Sequence, residues 1–258
     1  MDHDDTPIGR LLTRREALAL VGASGAALFL GCGTGTAEGA TPAASGAASP
    51  CLVKPEATEG PFFATGDLFR SDLRTDVATG EATPGMPLAL TVGVSRVDGN
   101  ACTPLQGAIV DIWHCDARGA YSGFASEGTE GSTVCRGYQR TNADGEASFV
   151  TVYPGWYRGR AVHLHLKVRT DETADAYEFT SQLYFPDALS ETVFATAPYD
   201  RPGAWLRNER DGIYTRGRGA ELLLTPEASG EGYAARFDFG LDLSDTATGA
   251  PDGFGRRG

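Results

Sequence analysis

Residues 162–169 alternate without a break. Val162, Leu164, Leu166 and Val168 are apolar, and His163, His165, Lys167 and Arg169 between or after them are polar. Side chains on a strand point to opposite faces with period two, so this stretch reads as a β-strand with one face for a core and one for polar work. The pattern recurs in short pieces. Residues 86–94 alternate, 108–113 form a strong apolar strand, and 179–185 read as another strand, stopped by Pro186. Residues 135–141 and 146–152 read as two strands joined by Asn142-Ala143-Asp144-Gly145, a hairpin turn. Residues 222–224 and 233–241 close the series, and 191–196 read as a short helical turn. With 34 glycines and 14 prolines as punctuation, the expectation is a mainly β chain: a single β-sandwich domain of mixed or antiparallel strands with long loops. No fixed-period repeat and no second domain is readable.

The beginning of the chain reads differently. Thr13-Arg14-Arg15-Glu16 precedes an apolar run, 17–31, that is shorter than the roughly 20 residues a spanning helix needs. A twin arginine before such a run resembles a twin-arginine export signal, so residues 1–31 are expected to be a signal peptide and the protein to be exported, periplasmic or at the cell surface. Phe29-Leu30-Gly31-Cys32 resembles a lipoprotein box, which leaves Cys32 either lipidated, as a membrane tether, or lost with the signal. Residues 32–50 are Gly, Ala, Ser and Thr with almost no large side chain, a flexible linker that cannot bury enough surface to fold. The folded domain is expected over 51–258.

Of five cysteines, setting Cys32 aside leaves Cys51, Cys102, Cys115 and Cys135. An even set in an oxidising compartment suggests two disulfides with three possible pairings, and Cys51–Cys102 with Cys115–Cys135 is the expected one. A thiolate metal site is disfavoured because no Cys-x-x-Cys pair occurs. A net charge of −12 argues against nucleic acid, which rewards clustered Lys and Arg.

Two of the four histidines, His163 and His165, sit two apart on the alternating strand. Two residues rise about 6.6 Å, so both imidazoles lean to one face and can converge on an ion. Alone, this is a weak signal. The surrounding blocks are more specific: Ile112-Trp113-His114-Cys115-Asp116-Ala117-Arg118-Gly119-Ala120-Tyr121-Ser122, then Pro154-Gly155-Trp156-Tyr157, then Arg160-Ala161-Val162-His163-Leu164-His165, then Phe179-Thr180-Ser181-Gln182-Leu183-Tyr184-Phe185-Pro186. In this order they resemble the intradiol ring-cleavage dioxygenases, non-haem Fe(III) enzymes that open catechol rings.

The resemblance implies that Tyr121, Tyr157, His163 and His165 bind Fe(III), with Tyr121 and His163 equatorial and Tyr157 and His165 axial. It implies that Tyr157 also acts as a base, that Arg160 stabilises charge developing on the ring, and that Gln182 supports the site. The substrates would be a catechol-type small molecule and O2, cleaved between the two hydroxylated carbons to a muconate-type diacid. The donor types agree, since a hard ferric ion favours phenolate oxygen. His114, Trp113 and Trp156 match no ligand position and read as packing, while Tyr138 and Tyr153 read as pocket walls. The matching segment of relatives puts 58–63 at the substrate mouth.

The chain departs from the family in three ways. No helical N-terminal dimerisation region is expected from the sequence, the step from Tyr157 to His163 is short, and the expected export signal is atypical. A different class remains open: a non-catalytic cell-surface β-sandwich that binds iron or an aromatic ligand. An esterase is set aside because no Gly-x-Ser-x-Gly elbow is present.

Overall fold

The strand that opens the sequence argument lies at the centre of one of two sheets. In the computed structural model, which describes residues 52–64, 66–173 and 176–244, His163–Arg169 is β6. It pairs antiparallel on one side with β3 (Ile109–Trp113) and on the other with β7 (Glu178–Tyr184), and β4 (Arg136–Arg140) completes the order β4-β3-β6-β7. The second sheet is built on β1 (Pro87–Asp98), which pairs antiparallel with β2 (Ala101–Pro104) and β5 (Glu146–Val152) and parallel with β9 (Gly232–Leu241). A short β8 (Glu227–Ser229) pairs with β9. Among the described residues the helices are short: α1 (Asp187–Phe194), α2 (Gly212–Arg216) and three 3-10 turns. No helix of the described residues is long and apolar enough to cross a membrane.

The alternation has the meaning the sequence assigned to it. Leu164, Leu166 and Val168 of β6 meet Val110 and Ile112 of β3, Phe179 and Leu183 of β7, and Leu88, Leu90, Val92 and Val94 of β1 in one core between the sheets. Burying each large side chain contributes roughly 1.5–3 kcal/mol, and this layer holds the sandwich closed. The other face of β6 is also buried, which a two-layer sandwich alone does not explain. It is covered by the segment 55–63. Ala57 N–H donates to the Thr180 carbonyl at 3.0 Å, and the Ser181 hydroxyl donates to the Pro55 carbonyl at 2.9 Å. That covered outer face carries the histidines.

Three expectations are corrected. The turn at 142–145 is tight, with the Asn142 Oδ1 accepting from the Asp144 and Glu146 amides, but it is no hairpin. β4 belongs to one sheet and β5 to the other, because β5 finds its antiparallel partner in β1 over Pro87–Gly93. The turn therefore carries the chain between sheets. Residues 222–224 are not a strand: Gly219–Leu222 is a 3-10 turn, followed by a single bridge from Leu223 to Tyr184. Cys115 and Cys135 are both buried free thiols. They are turned to different neighbours, and the Cys115 Sγ donates to the Gly155 carbonyl at 3.4 Å. Cys51, and with it the Cys51–Cys102 pairing, lies outside the described residues, as do the signal and linker over 1–50.

Candidate functional site

Register places the outer face of the sheet in rows. His165 stands between Trp113 on β3 and Gln182 on β7, with Arg136 next to Trp113 on β4, while His163 faces Tyr184. Same-face neighbours on adjacent strands touch, and here they do so through rings: Trp113 stacks on His165 with centroids 4.9 Å apart and planes 11° apart.

The two tyrosines arrive on loops that lock together. After β3 the Asp116 carboxylate accepts from the amides of Arg118 and Ala120, both at 2.9 Å, curling the chain so that Tyr121 turns inward. Gly119 sits at φ +84°, and a Cβ there would lie 2.1 Å from the Trp156 carbonyl oxygen. Gly155 donates its N–H to the Asp116 carbonyl at 3.0 Å, and a Cβ on it would lie 2.5 Å from the Ala117 carbonyl. Only glycine permits this approach at both positions. The two turns consequently fix their tyrosines against one another, with Oη atoms 3.5 Å apart.

All four expected residues meet. The Tyr121 Oη is 3.4 Å from the His163 Nε2 and 3.1 Å from the His165 Nε2. The Tyr157 Oη is 3.2 Å from the His163 Nε2, and the two imidazole Nε2 atoms are 3.1 Å apart. Two ligands each about 2.1 Å from one ion stand roughly 3.0–3.4 Å apart at bond angles of about 90–110°, so this spacing suits four donors around a single cation. The protonation states suit it too. His163 Nδ1 is 2.7 Å from the Ala161 carbonyl and must donate there, which leaves the Nε2 lone pair facing the cluster. Burial pushes both imidazoles well below their ordinary value, helped by Arg160 at His163 and by His163 and then Arg160 at His165, so both are neutral. Burial pushes the Tyr121 phenol well up and that of Tyr157 up to about 12, the latter against the pull of Arg160. Two neutral lone-pair donors and two phenols that ionise only beside a cation are a metal-binding set. Among the described residues no cluster of three or more His, Cys, Asp or Glu side chains is arranged for a metal, so an ion here draws on the phenols.

Residues 58–239 match the family model described as Dioxygenase. The chain belongs to the intradiol ring-cleavage dioxygenase family. It is 32% identical over 108 residues to catechol 1,2-dioxygenase 1 of Acinetobacter lwoffii, a match covering 40% of this chain and 32% of that protein. It is 28% identical over 149 residues to chlorocatechol 1,2-dioxygenase of Rhodococcus opacus, covering 50% of this chain and 55% of that one. Among solved structures it resembles an intradiol ring-cleavage dioxygenase from Tetranychus urticae, with a TM-score of 0.64 and 28% identity over 74% of this chain and 95% of the other. The matched stretches thus span less than two thirds of the two bacterial relatives.

Within this dioxygenase family member, Arg160 is no surface cation. Its Nε donates to the Asp211 carboxylate at 2.9 Å, its Nη2 to the Gln182 Oε1 at 2.5 Å, and its Nη1 lies 3.4 Å from the His163 Nε2. The Gln182 amide in turn donates to the Thr58 carbonyl at 2.6 Å, tying the covering segment to β7. That segment is a roof over the donors. Gly60, at φ +71°, rests on His165, where a Cβ would lie 3.3 Å from Cε1, and Phe62 stacks on Tyr121 at 4.3 Å.

The sequence did not single out the residues that hold the roof down. Arg136 donates to the Ser122 hydroxyl at 2.9 Å, to the Ser122 carbonyl at 2.6 Å and to the Phe62 carbonyl at 3.2 Å. Lys167, two residues beyond His165 on the same face, forms a close ion pair with Glu59, lies 3.3 Å from Glu178 and sits 4.3 Å above the Phe63 ring. Its alternation with Leu166 and Val168 was the available signal. Lys167→Met keeps the stem and removes the charge. Because both glutamates are about a third exposed, the variant is expected to lose about 1–2 kcal/mol in urea unfolding. It is also expected to speed hydrogen exchange at the amides of 57–63; unchanged exchange there would rule out Lys167 as the roof's anchor.

The other residues singled out sort clearly. Tyr153 is not a pocket wall: it lies in the main core, 2.7 Å from the Ser190 hydroxyl. Tyr138 packs against Phe69 with the rings tilted by 50° and lines a separate groove with Phe63, Asp111 and Arg169. Trp156 packs beneath the Arg201 guanidinium, 3.9 Å from ring centre to carbon. His114 is pinned, with Nδ1 2.8 Å from the Cys115 carbonyl and Nε2 2.8 Å from the Thr151 hydroxyl, and burial lowers its pKa to about 4. The unfolded chain takes up this proton near pH 6.5, before the folded one does. His114 therefore withdraws stability as pH falls from about 6.5 toward 4, by about 2 kcal/mol between pH 7 and 5. Denaturant titrations should show a steeper fall for the parent than for His114→Gln over that window; equal slopes would contradict the assignment.

Proposed function

We propose that this chain is an exported Fe(III) intradiol dioxygenase. Tyr121, Tyr157, His163 and His165 hold the metal, and a catechol-type aromatic is opened between its two hydroxylated carbons with both atoms of O2, giving a muconate-type diacid. The observation that carries the reading is the convergence of two phenols and two neutral imidazoles, each within 3.1–3.5 Å of at least two of the others, under an aromatic roof. A ferric ion held by this set supplies Lewis acidity toward the two catechol oxygens.

The chain's own residues do the rest. Tyr157 is the more loosely held phenol, half-buried where Tyr121 is fully buried, and it is the one placed to take a substrate hydroxyl proton. Arg160 directs a fixed positive charge at the pocket, where it favours negative charge developing on the ring. Gln182 links one nitrogen of Arg160 to the Thr58 carbonyl. Gly60 over His165 and Phe62 over Tyr121 shield the donors from bulk water.

Export through Arg14 and Arg15, a Cys32 that is either lipidated or removed, and a Cys51–Cys102 disulfide complete the proposal. The first is tested by fractionating cells that express an Arg14→Lys, Arg15→Lys variant, which should keep the protein inside.

The function is tested by spectrum and oxygen uptake together. The purified ferric protein should absorb broadly in the visible from phenolate-to-iron charge transfer, shift on adding catechol, and consume O2. A colour shift without O2 uptake across catechol, protocatechuate, hydroxyquinol and larger lignin-type catechols would assign an iron carrier instead.

A further inference from the structure

Each nitrogen of the Arg160 guanidinium faces a different group, and the one that carries a negative charge is a buried carboxylate from far along the chain. Asp211 is 1% exposed. Its Oδ2 accepts from the Arg160 Nε at 2.9 Å and from the Ala161 N–H at 2.8 Å, while its Oδ1 accepts from the Ile213 N–H at 2.7 Å and the Tyr214 N–H at 3.3 Å. One side chain thus does two jobs: one oxygen caps α2, and the other takes hold of the arginine and of the backbone just before β6.

We infer that Asp211 is a positioning residue for the ring-opening reaction, acting through Arg160; this rests on the function proposed above. The guanidinium is planar, so two fixed nitrogens set the direction of the third. Asp211 fixes Nε and Gln182 fixes Nη2, which leaves Nη1 as the corner directed at the donors, 3.4 Å from the His163 Nε2. Gln182 alone leaves the plane free to rotate about a single contact. Asp211 also reaches His163 by a second route. Ala161, whose N–H it binds, offers its carbonyl to the His163 Nδ1 at 2.7 Å and so sets that ring's tautomer. A largely buried arginine needs a counter-charge close at hand, and Tyr184, 3.5 Å from Nη2, supplies none while its phenol is neutral. Asp211 is the only acidic side chain that contacts Arg160 among the described residues.

The test must separate the helix cap from the arginine. Serine is a good N-cap, so Asp211→Ser keeps an acceptor for the α2 amides and removes the one for Arg160. The ferric Asp211→Ser protein should keep its iron and its visible band, with kcat on catechol reduced about 10–100-fold and KM changed less than kcat. In an Arg160→Lys background the same substitution should change kcat by less than about twofold, because the group it acts through is already gone. A kcat within twofold of the parent, or full multiplication of the two losses, would overturn the inference. Should Asp211→Ser fold poorly, Asp211→Asn is read in the same way.

An iron-free measurement stands independently of turnover. In the metal-free parent the Arg160 Nε–H should exchange slowly with solvent and be visible by NMR, and Asp211→Ser should accelerate it at least tenfold. Fast exchange in the parent would overturn the positioning role. This holds even if the parent opens no catechol ring, an outcome that would sink the proposed function alone.

Discussion

His165→Ala protein is expected to purify without visible colour and to lose ferric iron on dialysis. The parent should keep its iron, and in the variant metal affinity should fall by well over the roughly 10–100-fold that losing even a supporting partner costs. The reason lies in how the donors are shared. The His165 Nε2 is the atom nearest both the His163 Nε2 and the Tyr121 Oη, each at 3.1 Å, so its removal opens the cluster at its tightest point. It also frees the Trp113 ring and the underside of Gly60, which pack on this imidazole. His163→Ala should behave alike. Tyr157→Phe should not: three donors remain, so the protein is expected to keep part of its iron and a weaker band while binding catechol abnormally. Metal content by mass spectrometry and the visible spectrum decide between the two patterns. Full iron in His165→Ala would refute the ligand set.

The second large effect is at Arg160. Arg160→Ala is expected to retain iron and lower kcat by about 10²–10³, the usual cost of removing one preorganised group that meets charge in the transition state. It should also be destabilised, since Asp211 is left 1% exposed with a charge and no cation. Breaking a buried pair from one side typically costs about 3–5 kcal/mol, and the three backbone N–H donors that Asp211 retains place the expectation at the lower end. Thermal unfolding and single-turnover kinetics read the two effects separately. A kcat near that of the parent would make Arg160 structural.

How much of this was legible in the sequence depended on whether the information was local. The alternation over 162–169 defines β6 within a residue, and Glu146–Val152 reads off directly as β5. Period two is written in adjacent residues. The partner of a strand is not. The turn at 142–145 has the chemistry of a hairpin, yet β5 pairs with β1, more than fifty residues upstream, because the apolar face of β1 offers a longer antiparallel match. The site shows the same division. Tyr121, Tyr157, Arg160, His163, His165 and Gln182 were found because they fall in ordered blocks, and the structure brings all six together. Asp211 was missed because Asp211-Gly212-Ile213 looks like an ordinary helix start, and nothing local says that its second oxygen faces an arginine fifty-one residues away. Lys167 read as one more polar residue on a strand until the roof was seen to cover it. The Cys115–Cys135 bridge was inferred from an even count, and counting says nothing about where two buried thiols are turned.

The most direct test is isotopic. Ferric protein given catechol under ¹⁸O₂ should release a cis,cis-muconate-type diacid carrying one labelled oxygen in each carboxyl group, with one O2 consumed per ring opened. A semialdehyde from cleavage beside the diol, a product labelled from water alone, or no ring-opened product from any catechol offered would contradict the account.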